Sequence, residues 1–548
     1  MNTSKKSHLN NSIIGLNSNI ILFLFLGCLA GVIYLFYPED SVPVADLVWQ
    51  QEVTEVGVGS PRLFDMNRDG VQDIIIGSGF EWSEDGMSSM MLINGQSGRL
   101  MWKTIVPESA YGTPVLIDAN GDQLPDVPTV GRFVDVWMLH GRSGEVLWKL
   151  TEQNPSMSFL PCNFNSPVPI PDQDNDGIVD FITVQGGLAN KTSHIQIIDT
   201  DTNKVIMNSL DRNHVLDSFN NLLTQSEQVT FNIKVCRGTK CEKRAINRDL
   251  LTNYSYNVLM SKLIQNQEGP GGRVYVISTG TGKVLRSFPV PFERESWSVP
   301  ILYQTQDKLW IIYGSGGERQ GGFIQAQDIL TGQVMWHVES KRKGIISSPI
   351  MYHENGQAMV ISNSMNGEIL KLNADTGELI WRKLVSKNFE TYSSPAVIKT
   401  DSGVDIISLF SYGVWPKYNF TSMFVFDGAT GKNKFRQQIG FCFGAASPIL
   451  ADVDSDGSED IVVISCTDKQ PRLMAFDKSY KTIFTQALKS GGFSTPIITD
   501  MDRNNHLDIV IPRFHFIDRY EFIAEKHPSD ELNWNQYRGK YWIGQLIP

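Results

Sequence analysis

Positive charge is in short supply in this sequence. Lys and Arg number 48 against 59 Asp and Glu, for a formal net charge of −11, so a basic face for nucleic acid is excluded. Histidine (9) and cysteine (6) are scarce among 548 residues. No HExxH occurs, since His353-Glu354 lacks its second His, and no GxSxG elbow occurs. Gly280-Thr281-Gly282-Lys283 and Gly428-Ala429-Thr430-Gly431-Lys432 do not complete a phosphate loop. With no convergent set of catalytic groups, the expectation is that the chain is not an enzyme. A composition with 41% apolar and 20% charged residues, 46 Gly and 25 Pro excludes disorder and a multi-pass membrane protein. The length exceeds what one compact core carries, unless that core is a ring of repeats.

Only one long apolar run is present. Residues 20–37, IILFLFLGCLAGVIYLFY, carry no charge and as a helix reach ~27 Å, close to a hydrocarbon core of ~30 Å. Lys5 and Lys6 precede the run, and the next basic residue after it is Arg62. The expected topology is a cytoplasmic N-terminus (1–19), a signal-anchor helix (20–37) and everything beyond outside the cytoplasm, periplasmic or extracellular. The bulky end Tyr34-Leu35-Phe36-Tyr37 argues against cleavage. Phe25-Leu26-Gly27-Cys28 partly resembles a lipobox, but more apolar residues follow it.

A Ser/Thr-Pro or Val-Pro dipeptide followed by an apolar run recurs at Pro61, Pro114, Pro167, Pro300, Pro349, Pro395, Pro448 and Pro496. Between these recurs a β-rich run, a polar Thr/Ser-Gly turn and a second β-rich run: 91–102, 136–148, 195–207, 274–288, 326–336, 370–381, 423–435 and 473–484. Each reads as a hairpin. Two hairpins in about 50 residues make one blade of a β-propeller. The expected fold is all-β: an eight-bladed propeller over 45–517, with seven blades as the alternative. ADLVWQQEV (45–53) resembles an outermost strand and is expected to complete the last blade. Residues 211–269, with helix-period Val215, Phe219, Leu222 and Leu223, read as a small, partly helical insertion. The aromatic stretch 518–548 reads as a tail packed on the ring. Gly314-Ser315-Gly316-Gly317-Glu318 reads as a bulge or turn, with exposure to the central channel as the alternative.

Five repeats carry oxygen side chains at positions 1, 3, 5 and 9 of one loop. They are Asp65, Asn67, Asp69, Asp73; Asp118, Asn120, Asp122, Asp126; Asp172, Asp174, Asp176, Asp180; Asp452, Asp454, Asp456, Asp460; and Asp500, Asp502, Asn504, Asp508. Hard oxygen ligands on a curled loop point to Ca²⁺. No Glu stands at position 12 and the flanks read as strands, so these are not EF-hands. Turn formation alone is the competing reading of any one loop. Outside the cytoplasm disulfides persist. Cys236–Cys241 is expected as a small loop, and Cys442–Cys466 across the ends of an antiparallel hairpin.

Pro, apolar strand, DxDxDGxxD, apolar strand resembles FG-GAP repeats, as in integrin α propellers. The runs ending in Trp336 and Trp381, with Trp102 and Trp148 at the same place, resemble the tryptophan-docking motif of quinoprotein-like propellers. The resemblance covers about 45–515. It implies the fold and calcium loops, and leaves the activity open. Quinoprotein dehydrogenases use a vicinal Cys-Cys pair, which this sequence lacks. The function expected is a membrane-anchored calcium-binding propeller that binds a protein or glycan. The alternatives are a quinoprotein-like or other propeller enzyme and a subunit of a bacterial envelope assembly complex.

Overall fold

The computed structural model describes residues 45–538 apart from 80–87, 108, 133–134, 155–162, 187–194, 202–204, 208–229, 238–239, 249–271, 319–320, 341–342, 402, 415–416, 466–469 and 526–535. The proposed membrane segment 20–37 lies outside these residues. Among the described residues no helix is long and apolar enough to cross a membrane.

Eight antiparallel sheets form the ring. Seven follow the chain in simple up-and-down order, starting after Pro61, Pro114, Pro167, Pro300, Pro349, Pro395 and Pro448, and we number these blades 1 to 7. Blade 8 is built from both ends of the ring: Ile497–Thr499, His506–Arg513 and Phe516–Glu525, with Ala45–Glu52 paired to the last of these as the outermost strand. The expected closure by the N-terminal strand is therefore observed. The ring also extends past residue 517, because Phe516–Glu525 is its third strand and not part of a tail.

The middle strands are buried along their whole length, as in Asp73–Gly77, Ser89–Ile93 and Glu368–Asn373. Each is flanked by neighbouring blades on both faces, which explains why these runs are apolar without alternation. Outermost strands alternate more and carry an aromatic clamp. The indole N–H of Trp49 donates to Gly95 O, Trp102 to Gly141 O, Trp148 to Thr279 O, Trp336 to Ala374 O and Trp381 to Gly428 O, at 2.8–3.0 Å. Each indole thus fastens its blade to the hairpin turn of the next.

The Gly of the Thr/Ser-Gly turn serves two purposes here. Gly144 has φ +72, and a Cβ on it would lie 2.6 Å from the Trp102 ring. Gly144→Ala should cost about 2–4 kcal/mol, the sum of left-handed strain and overpacking. Gly70→Ala, at φ +92 with open space around it, should cost only the strain, about 1–2 kcal/mol. Urea midpoints of the two variants check this, and equal losses would remove the indole contact as a cause.

The insertion differs from the sequence expectation. Its described part is a sheet in the order Val205–Met207, Ile195–Asp199, Thr230–Arg237, Lys240–Asn247. The hairpin at 195–207 therefore belongs to the insertion and not to a blade. Blade 3 skips from Asp180–Gly186 to Arg273–Ile277. The residues with helical spacing lie outside the described residues.

Candidate metal loops and the axial cavity

The five acidic loops connect the first and second strands of blades 1, 2, 3, 7 and 8. Positions 4 and 6 of each take positive φ: Arg68 and Gly70, Gly121 and Gln123, Asn175 and Gly177, Ser455 and Gly457, Arg503 and Asn505. That double left-handed turn curls the loop so that position 1 accepts amide protons from farther along it. Asp65 accepts from Asp69 and Gly70 N–H, and Asp452 from Asp456 and Gly457 N–H. Position 5 accepts the N–H of position 7, as Asp176 does from Ile178 at 2.8 Å. Position 9 is buried, and its Oδ2 accepts the N–H of position 2 in all five loops.

The structure brings positions 1, 3 and 9 together in three loops. Asp172, Asp174 and Asp180; Asp452, Asp454 and Asp460; and Asp500, Asp502 and Asp508 each offer oxygens within 4.8 Å of one another. Position 5 is outside these clusters. In blades 1 and 2 position 3 is an amide, whose Nδ2 donates to Asp69 and Asp122. Asp122 also meets His140 Nε2 at 2.9 Å.

What separates the loops is the second oxygen at position 9. Asp73 Oδ1 accepts from Gly95 N–H, Asp126 Oδ1 from Gly141 N–H and Asp180 Oδ1 from Thr279 N–H, all in the next hairpin of the same blade. Among the described residues Asp460 Oδ1 has no partner, although the residue is 1% exposed. Burial pushes the Asp460 carboxyl up to about 8, and the charges of Asp454, Asp452 and Asp456 add to this. A buried carboxylate oxygen with no donor, facing two further carboxylates, is a donor set that fits a hard cation.

Blade 8 departs from the expectation for Asp500, Asp502, Asn504 and Asp508. The Arg519 guanidinium donates through Nε to Asp508 Oδ1 at 2.7 Å and through Nη2 to Asp502 Oδ2 at 2.7 Å, and its Nη1 reaches Gly95 O in blade 1 at 3.1 Å. A protein cation thus already sits between the two carboxylates. Burial still pushes Asp508 up to about 6, with Arg519 opposing.

Cys236 and Cys241 face each other in the register of adjacent strands. Cys442 is buried and disulfide-bonded, whereas Cys466, the expected partner, lies outside the described residues.

Sequence reasoning missed the axis. The residues before the repeat prolines, all but Ser394, line one cavity on the axis, and every hydroxyl among the eight accepts the backbone N–H of the preceding blade's equivalent. Ser60 N–H donates to Thr113, Thr113 to Ser166, Val299 to Ser348, Ser348 to Ser394, Ser394 to Ser447, Ser447 to Thr495 and Thr495 to Ser60, at 2.8–3.2 Å. The chain of bonds is interrupted once, at Val299. The signal was present, because Ser or Thr recurs before the repeat prolines. Beside the hydroxyls is a cavity of about 490 Å³, lined also by Glu295, Trp297, Glu318, Tyr392 and Tyr537. Tyr537 donates its OH to Ser348 at 2.9 Å, so residues 536–538 close on the axis.

One protein family, described as outer membrane protein assembly factor BamB, matches residues 320–403, the stretch that holds Trp336 and Trp381. Mouse protein FAM234B is 28% identical over 158 residues, 26% of this chain and 25% of that protein. The chain thus spans about a quarter of the length of the curated relative it matches. Three solved structures are similar to this chain. Europium-containing methanol dehydrogenase covers 85% of this chain and 84% of its own, at 11% identity and TM-score 0.49. Quinohemoprotein alcohol dehydrogenase from Comamonas testosteroni covers 89% and 78%, at 11% and 0.49. BamB from Moraxella catarrhalis covers 87% and 100%, at 11% and 0.35. The findings correct one expectation. Dehydrogenases are among the propellers that match this chain, so missing motifs do not make it a non-enzyme, and that reading is dropped.

Proposed function

We propose that the ring is a calcium-stabilised platform, held outside the cytoplasm by the segment 20–37, whose outer rim binds another protein. One observation carries the binding reading. Outermost strands of three successive blades expose large apolar side chains: Leu47 and Val48 in blade 8, Leu100, Met101 and Ile105 in blade 1, Val146 and Leu147 in blade 2. Edge strands are ordinarily protected by charge or cover, and apolar surface left open on them marks an interaction site. A groove between blades 8 and 1, lined by Val53, Met91, Leu100 and Lys103, would take side chains of a strand added to that edge. The match to an assembly factor family supports a protein partner in general. Calcium is assigned first to the loop at Asp452–Asp460, and the FG-GAP resemblance and a Cys442–Cys466 disulfide belong to the same reading.

A photo-crosslinking residue at Met101 in the full-length, membrane-bound protein should give one discrete adduct, and Leu47→Lys with Leu100→Lys should abolish it. The same residue at Lys432, in a hairpin turn of blade 6, should give none. Adducts of equal yield at both positions would defeat the rim as a site. A second reading, a catalytic propeller, is favoured by the axial cavity.

A further inference from the structure

The axial cavity has a chemistry of its own. Glu295 and Glu318 both line it. Gly314-Ser315-Gly316-Gly317-Glu318, which reads in the sequence as a bulge or turn, is the element that brings them together. Gly316 N–H donates to the Glu295 carbonyl at 2.7 Å. A Cβ on Gly317 would lie 2.0 Å from Glu295 Oε1, so only glycine lets that carboxylate lie across the backbone leading to Glu318. Tyr392 OH donates to Glu318 Oε1 at 2.6 Å. Burial raises the Glu295 carboxyl above its usual range; a bond from Trp297 opposes this and the Glu318 charge adds to it.

Nearby Glu390 shows the alternative. It is paired with Lys343. One basic residue, Arg132, also lines the cavity, but among the described residues neither Glu295 nor Glu318 has an ion-pair partner. Two carboxylates side by side in a partly desolvated cavity repel, and a cation between them relieves this. The walls decide which kind of cation. A hard metal takes 6–8 oxygens at once. Here Tyr392 bonds Glu318 and Trp297 bonds Glu295, Tyr111 lines the same cavity, and aromatic faces attract organic cations. The volume is in the range of small-ligand sites.

We propose that the axial cavity binds an organic ammonium group, its charge held by Glu295 and Glu318 and its carbon substituents packed against Trp297 and Tyr392. The ammonium comes either from a free amine or from a lysine side chain of a bound protein.

The test is calorimetric titration of the full-length protein in detergent with tetramethylammonium, spermidine, a short lysine-containing peptide, the neutral isostere 3,3-dimethylbutan-1-ol, and Ca²⁺. At least one ammonium probe should bind, and the isostere should bind about tenfold more weakly or not at all. Glu318→Gln and Glu295→Gln should each weaken ammonium binding about tenfold, the loss of one charge-assisted contact. Their melting temperatures should be unchanged or higher, because each variant relieves repulsion, so lost binding is not lost folding. Gly317→Ala should also weaken binding by displacing Glu295. A peptide that binds more tightly than the free amines would make the source a protein lysine; the reverse would make it a small amine. The proposal is overturned if no ammonium probe binds, if the isostere binds equally well, if Glu318→Gln leaves the affinity unchanged, or if Ca²⁺ displaces bound ammonium in the wild type but not in Glu318→Gln. The last result would make the cavity a metal site. None of these results bears on crosslinking at the rim.

Discussion

Arg519→Ala is expected to destabilise the ring by about 3–5 kcal/mol, the cost of leaving a buried charge without its partner. Asp508 is 0% exposed and Asp502 is a quarter exposed, and Arg519 donates to both. Losing the guanidinium also removes the bond to Gly95 that ties blade 8 to blade 1. The more telling result is a gain. With the arginine gone, Asp500, Asp502, Asn504 and Asp508 regain the charge imbalance of the other loops, so part of the lost stability should return on adding Ca²⁺. To isolate that gain, the measurement is made with Asp460→Asn in the background, comparing melting in calcium and in chelator with and without Arg519→Ala. If the arginine variant recovers nothing extra from calcium, the guanidinium is not a substitute for a metal ion.

Chelation should produce the second large effect. A Ca²⁺ ion adds RT ln(1 + [L]/Kd), about 2.7 kcal/mol per site at a hundredfold excess over Kd. Affinities of about 10⁻⁴–10⁻³ M are expected for modules outside the cytoplasm. The loop at Asp460 should account for most of the loss. Its behaviour without metal also has a definite sign. The folded carboxyl is raised to about 8 from 3.8, so between those pH values the folded state holds a proton that the unfolded chain has released. Metal-free stability therefore falls as pH rises through that window. Melting in chelator should drop from pH 5 to pH 8, and calcium should restore more at pH 8 than at pH 5. Asp460→Asn should flatten the chelator curve between about pH 6 and pH 8, leaving below it the fall due to Asp180 and Asp508, which are raised to about 6, and should remove most of the calcium response. Identical melting in calcium and chelator at pH 8 would leave the acidic loops as turns only.

The ring was legible in the sequence because its fastenings are local. Each repeat proline opens an innermost strand, and each Thr/Ser-Gly turn meets the aromatic residue of the blade before it. Pairing partners were less legible. The run IQIIDTDTNKVIM has the blade pattern yet pairs with Thr230–Arg237 of the insertion, because a hairpin signal does not say which sheet the hairpin joins. The third strand of blade 8, Phe516–Glu525, follows its neighbour after Phe514-His515 with no Gly turn, and so reads as tail. The acidic spacing gave the loop geometry correctly, since the left-handed positions 4 and 6 are set by the loop itself. It could not separate Asp460 from Asp508, because the group that satisfies position 9 arrives from a distant strand. Glu318 stood in a Gly-rich run for which the central channel was the alternative reading, but Glu295 left no pattern, as the two meet only across the linker between blades 3 and 4.

That linker marks a seam. At every other junction of the ring a clamp with an N–H, an axial hydroxyl, or both bind one blade to the next. Between blades 3 and 4 the clamp is Phe288, which packs against Gly332 but has no N–H to donate, and the axial position is Val299. That joint is held instead by Gln327, whose Nε2 donates to Pro289 O at 3.2 Å, a side-chain amide in place of the indole and the hydroxyl. The same joint carries Glu295 and adjoins the blade from which the insertion emerges. A load applied to the insertion would reach the wall of the axial cavity through the Gln327–Pro289 bond.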